Sequence, residues 1–424
     1  MDRSSLRDRP DLLILAALLG MQVWAVGGPT VVFYVLGGLI YLALDFLGLP
    51  LAPAPDHQTR RETWGYLLRW TLITLLTVPP MILLVFAFIT ERLQLGAEAV
   101  ARNVTLVDSA VQIELAAQMI LAGRNPYAEI FEGTAVALTP PVPGYDFNPA
   151  VFHYVYPPLS FLLPVPFYLL ARATLGWFDL RLITTAFFLV VAFMLMPQLA
   201  ESLPRRLALM ILVLFNPAIL LYAAQGQNEV FAFAWLVLTL VCLKQQRFTL
   251  ALVVLGIGCA LKQTIWFMVP FALVYLYHQQ RPARWRSWLL RHAGLAGAPL
   301  ALTLLPFAIW NFPALADDML GYVSGRGAVA FPIMGYGLGQ ILLTLGLVQS
   351  PRAAFPFWAF QLALGLPMLL LTLRRLWRAP RLSMCAIGYG VFMLVFFFAS
   401  RFFHDIYILF TLTLVAVGYL TDEA

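Results

Sequence analysis

Apolar runs repeat along almost the whole chain, near 11–28, 30–49, 66–90, 157–172, 181–200, 207–224, 229–244, 248–261, 264–278, 294–311, 333–349, 354–372, 383–400 and 406–420. Runs of this length suit helices that cross the roughly 30 Å hydrocarbon core of a bilayer, where each backbone polar group must find its partner inside the segment. With 61% hydrophobic and only 11% charged residues in 424, the chain has too little polar surface to coat a soluble globule. The fold class this implies is an all-α polytopic membrane protein. The net charge of +6 then reads as cations retained on one face of the membrane, not as affinity for nucleic acid.

Charge decides which of the fourteen runs cross. Arg60/Arg61, Arg205/Arg206, Lys244/Arg247, Arg281/Arg284/Arg286/Arg291 and Arg374/Arg375/Arg378/Arg381 lie in short loops, which are held in the cytoplasm. Parity between these points leaves 157–172 and 333–349 as elements that do not cross. The first is interrupted by Pro157, Pro158, Pro164 and Pro166, and the second is glycine-rich after Pro332. About twelve spans remain, with both termini inside. The opening Met1 to Asp11 leads straight into apolar sequence without a convincing small-residue cleavage site, so the first span is expected to be uncleaved. Of the 27 Lys and Arg, eighteen fall on the cytoplasmic side and nine outside. The chain reads as one integral membrane domain, 1–424, with a long external loop at 91–180, core helical hairpins at 181–280 and further helices at 281–424. Cys242, Cys259 and Cys385 are far apart inside apolar runs and read as reduced packing residues.

The polar residues that remain gather on the external side. Asp108 heads the polar excursion, in a segment from Thr105 to Gly123 that reads as an amphipathic helix lying on the bilayer surface, with Gln112 and Gln118 on its polar side. Thr105 and Asp108 also fit a capping box, in which the acid only satisfies backbone amides. Gln225, Gln227, Asn228 and Glu229 crowd the tip of a hairpin around Gly226, a density that fits either sugar binding or capping of the following helix. Lys262, flanked by Gln263 and Thr264, closes the next hairpin on the same face, at the depth where a lipid phosphate presents its anion. Snorkelling to headgroups is the plainer reading of the same lysine.

Arg401, His404 and Asp405 bring a cation, an imidazole and a carboxylate within five residues, suited to a phosphate clamp, a proton relay or a salt bridge one helical turn long. Arg326 is another isolated external cation. His153, Tyr154 and Tyr156 form either an aromatic membrane anchor or a stacking surface for a sugar. Asp317 and Asp318 are adjacent rather than spaced for a metal-bridged nucleotide-sugar, and Asn103-Val-Thr105 is a formal glycosylation sequon. No P-loop, GxGxxG, HExxH or GxSxG arrangement occurs.

The order of these pieces resembles the GT-C superfamily of lipid-linked-sugar glycosyltransferases, most closely its polyprenol-phosphate-mannose-dependent mannosyltransferase branch. The resemblance runs from Asp108 through Ala122-Gly-Arg-Asn-Pro-Tyr127 and Tyr156-Pro-Pro-Leu159. It continues through Asn216-Pro217, Gly226-Gln-Asn-Glu229 and Gly256-Ile-Gly-Cys-Ala-Leu-Lys262. It implies that Asp108 is the catalytic carboxylate and that Lys262 contacts the lipid phosphate. Glu229 stands where such enzymes most often carry Asp, and their C-terminal third is variable, so Arg401 and His404 carry over only as candidates.

The expected function is transfer of a sugar, mannose first, from a polyprenyl-phosphate donor to an acceptor hydroxyl with inversion, on the extracytoplasmic face of the plasma membrane. Asp108 would serve as base with His404 assisting. Lys262, Arg401 and Arg326 would hold the donor phosphate, and Gln225, Gln227, Asn228, Glu229, Gln263 and Tyr154 the sugar. No divalent metal or other cofactor is implied. The partners are the donor, a glycan or glycolipid acceptor and membrane lipids. The alternative is a flippase or transporter of lipid-linked sugar, which would place polar residues near mid-membrane and at both mouths, often in repeated halves.

Overall fold

The computed structural model describes residues 8–25, 29–49, 51, 60–101, 106–327 and 329–421. Arg102, the sequon at Asn103 to Thr105, the Thr105 half of the capping box and Met1 to Arg7 lie outside the described residues. The protein is 76% helical, with almost no sheet. By length and apolarity four helical stretches suffice to cross a bilayer: Arg60–Leu95, Arg181–Leu199, Trp285–Tyr322 and Phe357–Arg378. A fifth arises if Leu203–Leu214 and Pro217–Gln225, bent by 53°, count together, and six more apolar helices are shorter. The protein is therefore membrane-embedded, but the described helices give four or five spans on this measure rather than twelve.

Local chemistry sets where each helix begins, bends and ends. Helices α1 (Pro10–Ala25) and α2 (Pro29–Phe46) lead into α3 (Arg60–Leu95), which stays continuous across Pro79 and Pro80. The run 157–172 breaks at Leu163-Pro164 into Leu159–Leu162 and α5 (Val165–Leu175), as prolines without an N–H require. Helix α6 (Arg181–Val190) widens into a π-turn, Val191–Leu195, and tightens into a 3₁₀ turn at Pro197. Helices α7 (Leu203–Leu214) and α8 (Pro217–Gln225) bend at Asn216, whose side chain takes the Ala218 and Ile219 N–H groups. The core hairpins are α9 (Asn228–Lys244), α10 (Phe248–Leu261) and α11 (Met268–Gln280). Helix α12 (Trp285–Ala316) packs along α10 so closely at Gly256 that an added Cβ would stand 2.4 Å from the Ala296 carbonyl oxygen.

Beyond it, the run 333–349 holds only α13 (Leu338–Thr344), about 10 Å long and too short to cross. Helices α14 (Leu366–Arg378), α15 (Leu382–Phe398) and α16 (Asp405–Leu420) complete the bundle. A two-residue parallel ladder, β1 (Met334–Gly335) on β2 (Phe402–Phe403), ties the loop before α13 to the turn between α15 and α16. All three cysteines are free and buried.

The segment 106–180 has its own core, distinct from that of the bundle. Leu106, Val111, Phe131, Tyr154 and Phe161 bury one another against Phe307 and Leu315 of α12. Helix α4 (Asp108–Leu121) runs through this core, with Ser109 to Glu114, Ala116, Ala117 and Met119 buried. The expectation that this helix lies on the bilayer surface is thus corrected. Its polar side chains meet protein instead of headgroups, and Gln112 donates to the carbonyls of Ala150 and His153 at 2.7 and 2.9 Å. At the C-terminal end of α3, Arg92 bridges Glu114 of α4 at 2.5 Å and Asp179 at 2.8 Å, and Asp179 in turn holds Arg181 at 2.7 Å.

Because Glu114 and Asp179 are buried, removing the shared cation leaves uncompensated charge. Arg92→Met is expected to cost about 3–5 kcal/mol, the usual scale for breaking one side of a buried ion pair. It should appear as a lowered unfolding temperature in detergent. An unchanged temperature would show that α4 is seated by its apolar contacts alone.

Candidate active site

Asp108 opens α4 and is half-buried. Its Oδ1 accepts the Ser109 N–H at 2.7 Å and its Oδ2 accepts from Asn148 Nδ2 at 3.1 Å. The cap position is Val107, whose side chain makes no capping bond. Asn148 is set for its task by a local turn, since its Oδ1 takes the Ala150 N–H at 3.0 Å and leaves the amide hydrogens for the acid.

The hairpin tip is pinned against the start of the same helix. The Val107 N–H donates to the Gln225 carbonyl at 3.2 Å. Gly226 has φ +81°, a conformation glycine adopts without strain, and an added Cβ would sit 3.1 Å from both Ala110 Cβ and Arg181 Cγ. The chain then turns into α9, with Gln227 at the cap position and no capping bond from its side chain. Asn228 and Glu229 direct their side-chain oxygens to the amino group of Lys262, which ends α10 and is buried. The Lys262 ammonium also stands 5.4 Å above the Tyr156 ring, a cation–π arrangement. Gln263 donates to the Val155 carbonyl, which fixes the loop segment that carries Tyr156.

Tyr156 is the common neighbour. Burial pushes its phenol well above the ordinary value, and the negative charges of Glu229 and Asp108 add to the effect. His404, at the cap of α16, feels the same two carboxylates together with Asp405. Its burial outweighs them and holds the imidazole below its ordinary pKa, so it favours the neutral form. Tyr407 hydrogen-bonds Glu229 from the next turn of α16. Glu229 and Lys262 are in direct contact, and the charges of Glu229 and Asp108 both reach Tyr156 and His404, so the four groups share one electrostatic neighbourhood at one end of the bundle.

The other sequence candidates lie elsewhere or are already engaged. Arg401 is 2% exposed and its guanidinium donates to three backbone carbonyls, those of Phe331, Ala353 at 2.8 Å and Pro351 at 3.1 Å. Asp405 accepts from the Tyr222 hydroxyl at 2.5 Å in place of the anticipated salt bridge with Arg401. Arg326 is exposed in the turn after the π-turn Asp317–Tyr322. Tyr154 is fully buried, with its hydroxyl 2.7 Å from Ser160 Oγ, so it presents no ring face for stacking a sugar.

Asn148 and Tyr407 were not among the sequence candidates, whereas Tyr156 reads there as a membrane anchor or a stacking surface. Only Tyr156 carried a signal, as the first residue of the Tyr156-Pro-Pro-Leu159 stretch. The remaining group is His153 with Asp317 and Asp318, whose ligand-type atoms fall within 4.8 Å of one another. Both ring nitrogens already face oxygens, Nδ1 to Asp318 at 2.8 Å and Nε2 to the Val329 carbonyl at 2.9 Å. That arrangement suits a second ring proton better than a cation.

Burial opposes that charge on His153, but the hydrogen bond to Asp318 and its negative charge prevail and raise the imidazole above its ordinary value. The sign follows directly. A raised folded pKa contributes stability in full below the unfolded value of 6.5, and this stability is lost as pH rises through the folded pKa. Wild type should therefore exceed His153→Gln in unfolding temperature by more at pH 6 than at pH 9. Equal gaps at the two pH values would refute the charged pair.

A helical bundle embedded in the bilayer, with a carboxylate, a lysine and an imidazole converging at one end of its hairpins, has the build of an integral-membrane transferase. The sequence model of glycosyltransferase family 87 matches residues 154–400, more than half of the chain, and the chain belongs to that family. It is a membrane-embedded glycosyltransferase. The matched stretch includes Tyr156, Gln225 to Glu229 and Lys262, while Asp108 precedes it and Arg401 and His404 follow it. No curated protein matches the chain.

Proposed function

We propose that the protein transfers one sugar, mannose in the first instance, from a polyprenyl phosphate to an acceptor hydroxyl on the extracytoplasmic face of the plasma membrane. Both termini lie in the cytoplasm, and about twelve spans form when the shorter apolar helices are included. The acceptor is a glycan or glycolipid. The observation that carries this reading is that the ring of Tyr156, with the Lys262 ammonium 5.4 Å above it, also feels the negative charge of Asp108.

In the step envisaged, the acceptor oxygen attacks the anomeric carbon while Asp108 takes its proton. The bond from that carbon to the phosphate oxygen breaks, its electron pair leaves with the polyprenyl phosphate, and configuration inverts. Neutral His404, which feels the charge of Asp108, would serve as a second proton acceptor. Lys262 meets the charge that grows on the leaving phosphate, which is where fixed charge is most effective. Gln225, Gln227, Asn228 and Glu229 line the sugar's approach, with Gln263 supporting the loop segment beneath it and Arg326 available from the exposed turn. A small apolar pocket lined by Leu163, Ile183, Phe231 and Leu261 begins at Asn228 and Lys262, and would receive the first isoprene units of the donor.

The test is purified protein supplied with polyprenyl-phosphate mannose and a panel of hydroxyl acceptors. Formation of mannosylated product supports the reading. Movement of intact donor between leaflets without product supports the flippase instead.

A further inference from the structure

At the opposite end of the bundle, three helices enclose an apolar trough. Leu273 and Tyr277 of α11, Trp285, Trp288 and Leu289 of α12 and Trp377 of α14 line a cavity of about 320 Å³. Tyr277 and Trp377 stack with centroids 5.3 Å apart, and Trp288 stands edge-on to Tyr277 at 5.6 Å. The Trp288 indole N–H donates to Gln280 at 2.5 Å, which holds that ring upright. Trp285 and Trp377 remain half exposed, at 52% and 50%. Large aromatic rings left open in this way mark a surface prepared for an apolar occupant.

Eight arginines belong to the same helix ends: Arg281, Arg284, Arg286 and Arg291 on one connection, Arg374, Arg375, Arg378 and Arg381 on the other. All eight are exposed, and none forms an ion pair with an acid among the described residues. The sequence offers none locally, because no Asp or Glu occurs between Glu229 and Asp317 or between Asp318 and Asp405. Topology alone accounts for cations on a cytoplasmic face. It does not account for a tryptophan-lined cavity between them. Nor does it account for His278, which packs edge-on to Trp377 at 4.5 Å and whose Nε2 is buried without a hydrogen-bond partner.

We propose that this trough binds an acidic phospholipid of the cytoplasmic leaflet, with its acyl chains against Trp285, Trp288 and Trp377 and its phosphate among the surrounding arginines. The charge complementarity selects the occupant. Zwitterionic lipid brings its own cation, whereas a headgroup of net negative charge is attracted by each nearby Arg at a membrane surface. Helices α11, α12 and α14 are then clamped at their cytoplasmic ends by one lipid.

The experiment compares unfolding temperatures of the full chain in nanodiscs of phosphatidylcholine alone and with 30% phosphatidylglycerol (about one acidic lipid in three). Wild type is expected to gain several degrees from the acidic lipid. Arg281→Gln/Arg284→Gln/Arg378→Gln should lose most of that gain, and Trp377→Ala should lose it while keeping every cation. Arg60→Gln/Arg61→Gln/Arg205→Gln, which removes as many charges from another part of the same face, should retain it. Equal loss in that control would reduce the effect to diffuse surface potential and overturn the site. An equal gain from soluble glycerol phosphate added to phosphatidylcholine discs would overturn the lipid as occupant.

Discussion

Asp108→Asn is expected to remove sugar transfer, lowering kcat by about a hundred- to ten-thousand-fold, the usual contribution of a positioned general base. The amide keeps the size of the side chain and can still accept the Ser109 N–H, but it has no lone pair basic enough to take a proton from an attacking hydroxyl. Structural cost should be small, because Asp108 is half-buried and, among the described residues, its carboxylate is held by Ser109 and Asn148. Unfolding temperature and monodispersity in detergent should stay close to wild type. Asp108→Glu is a useful companion, since it retains the base and displaces it by one methylene, and it should keep part of the rate. Full transfer by the Asn variant would remove the base from the mechanism, and with it the proposed chemistry. Asn148→Ala tests the same geometry more gently. It frees one carboxylate oxygen and should reduce kcat by a smaller factor than losing the acid.

What could be read in the sequence was whatever has a local signature. The prolines of 157–172 interrupt a helix wherever they stand, so the broken pair Leu159–Leu162 and Val165–Leu175 follows from spacing alone. The two polar hairpin tips were visible because amides, an acid and a lysine are conspicuous between apolar runs. Pairings over long sequence separations had no such signature. Asn148 meets Asp108 across 40 residues and His153 meets Asp318 across 165, and nothing in either neighbourhood specifies the other. Periodicity places an apolar face on the helix after Asp108, but it does not say whether lipid or protein covers that face. The answer depends on Phe131, Tyr154 and Phe307, which fold over the helix from elsewhere. Arg401 illustrates the same limit. A lone external arginine reads as an anion ligand until three carbonyls from the 331–353 region are found around it. The span count suffers likewise, because the bend at Asn216 divides one run and several other apolar helices stop short of a full crossing.

Lys262→Met carries the second large effect, and it acts on stability and chemistry together. The ammonium is buried with Asn228 and Glu229 as its partners, so its removal strands a buried carboxylate at a cost of about 3–5 kcal/mol. If Lys262 also meets the leaving phosphate, transfer should fall by a further hundred- to thousand-fold or so, as when one donor to a developing anion is deleted. The two contributions can be separated. Glu229→Gln in the Lys262→Met background removes the uncompensated charge and should return most of the lost unfolding temperature. It should return none of the lost kcat, because a neutral glutamine gives the phosphate no positive charge. Lys262→Arg should retain measurable transfer, although its planar fork fits the pocket beside Tyr156 less well than a compact ammonium. If the double variant regained transfer along with stability, Lys262 would serve only to neutralise Glu229. The phosphate would then need another cation, and Arg326, exposed in its turn outside this cluster, would be the next to test.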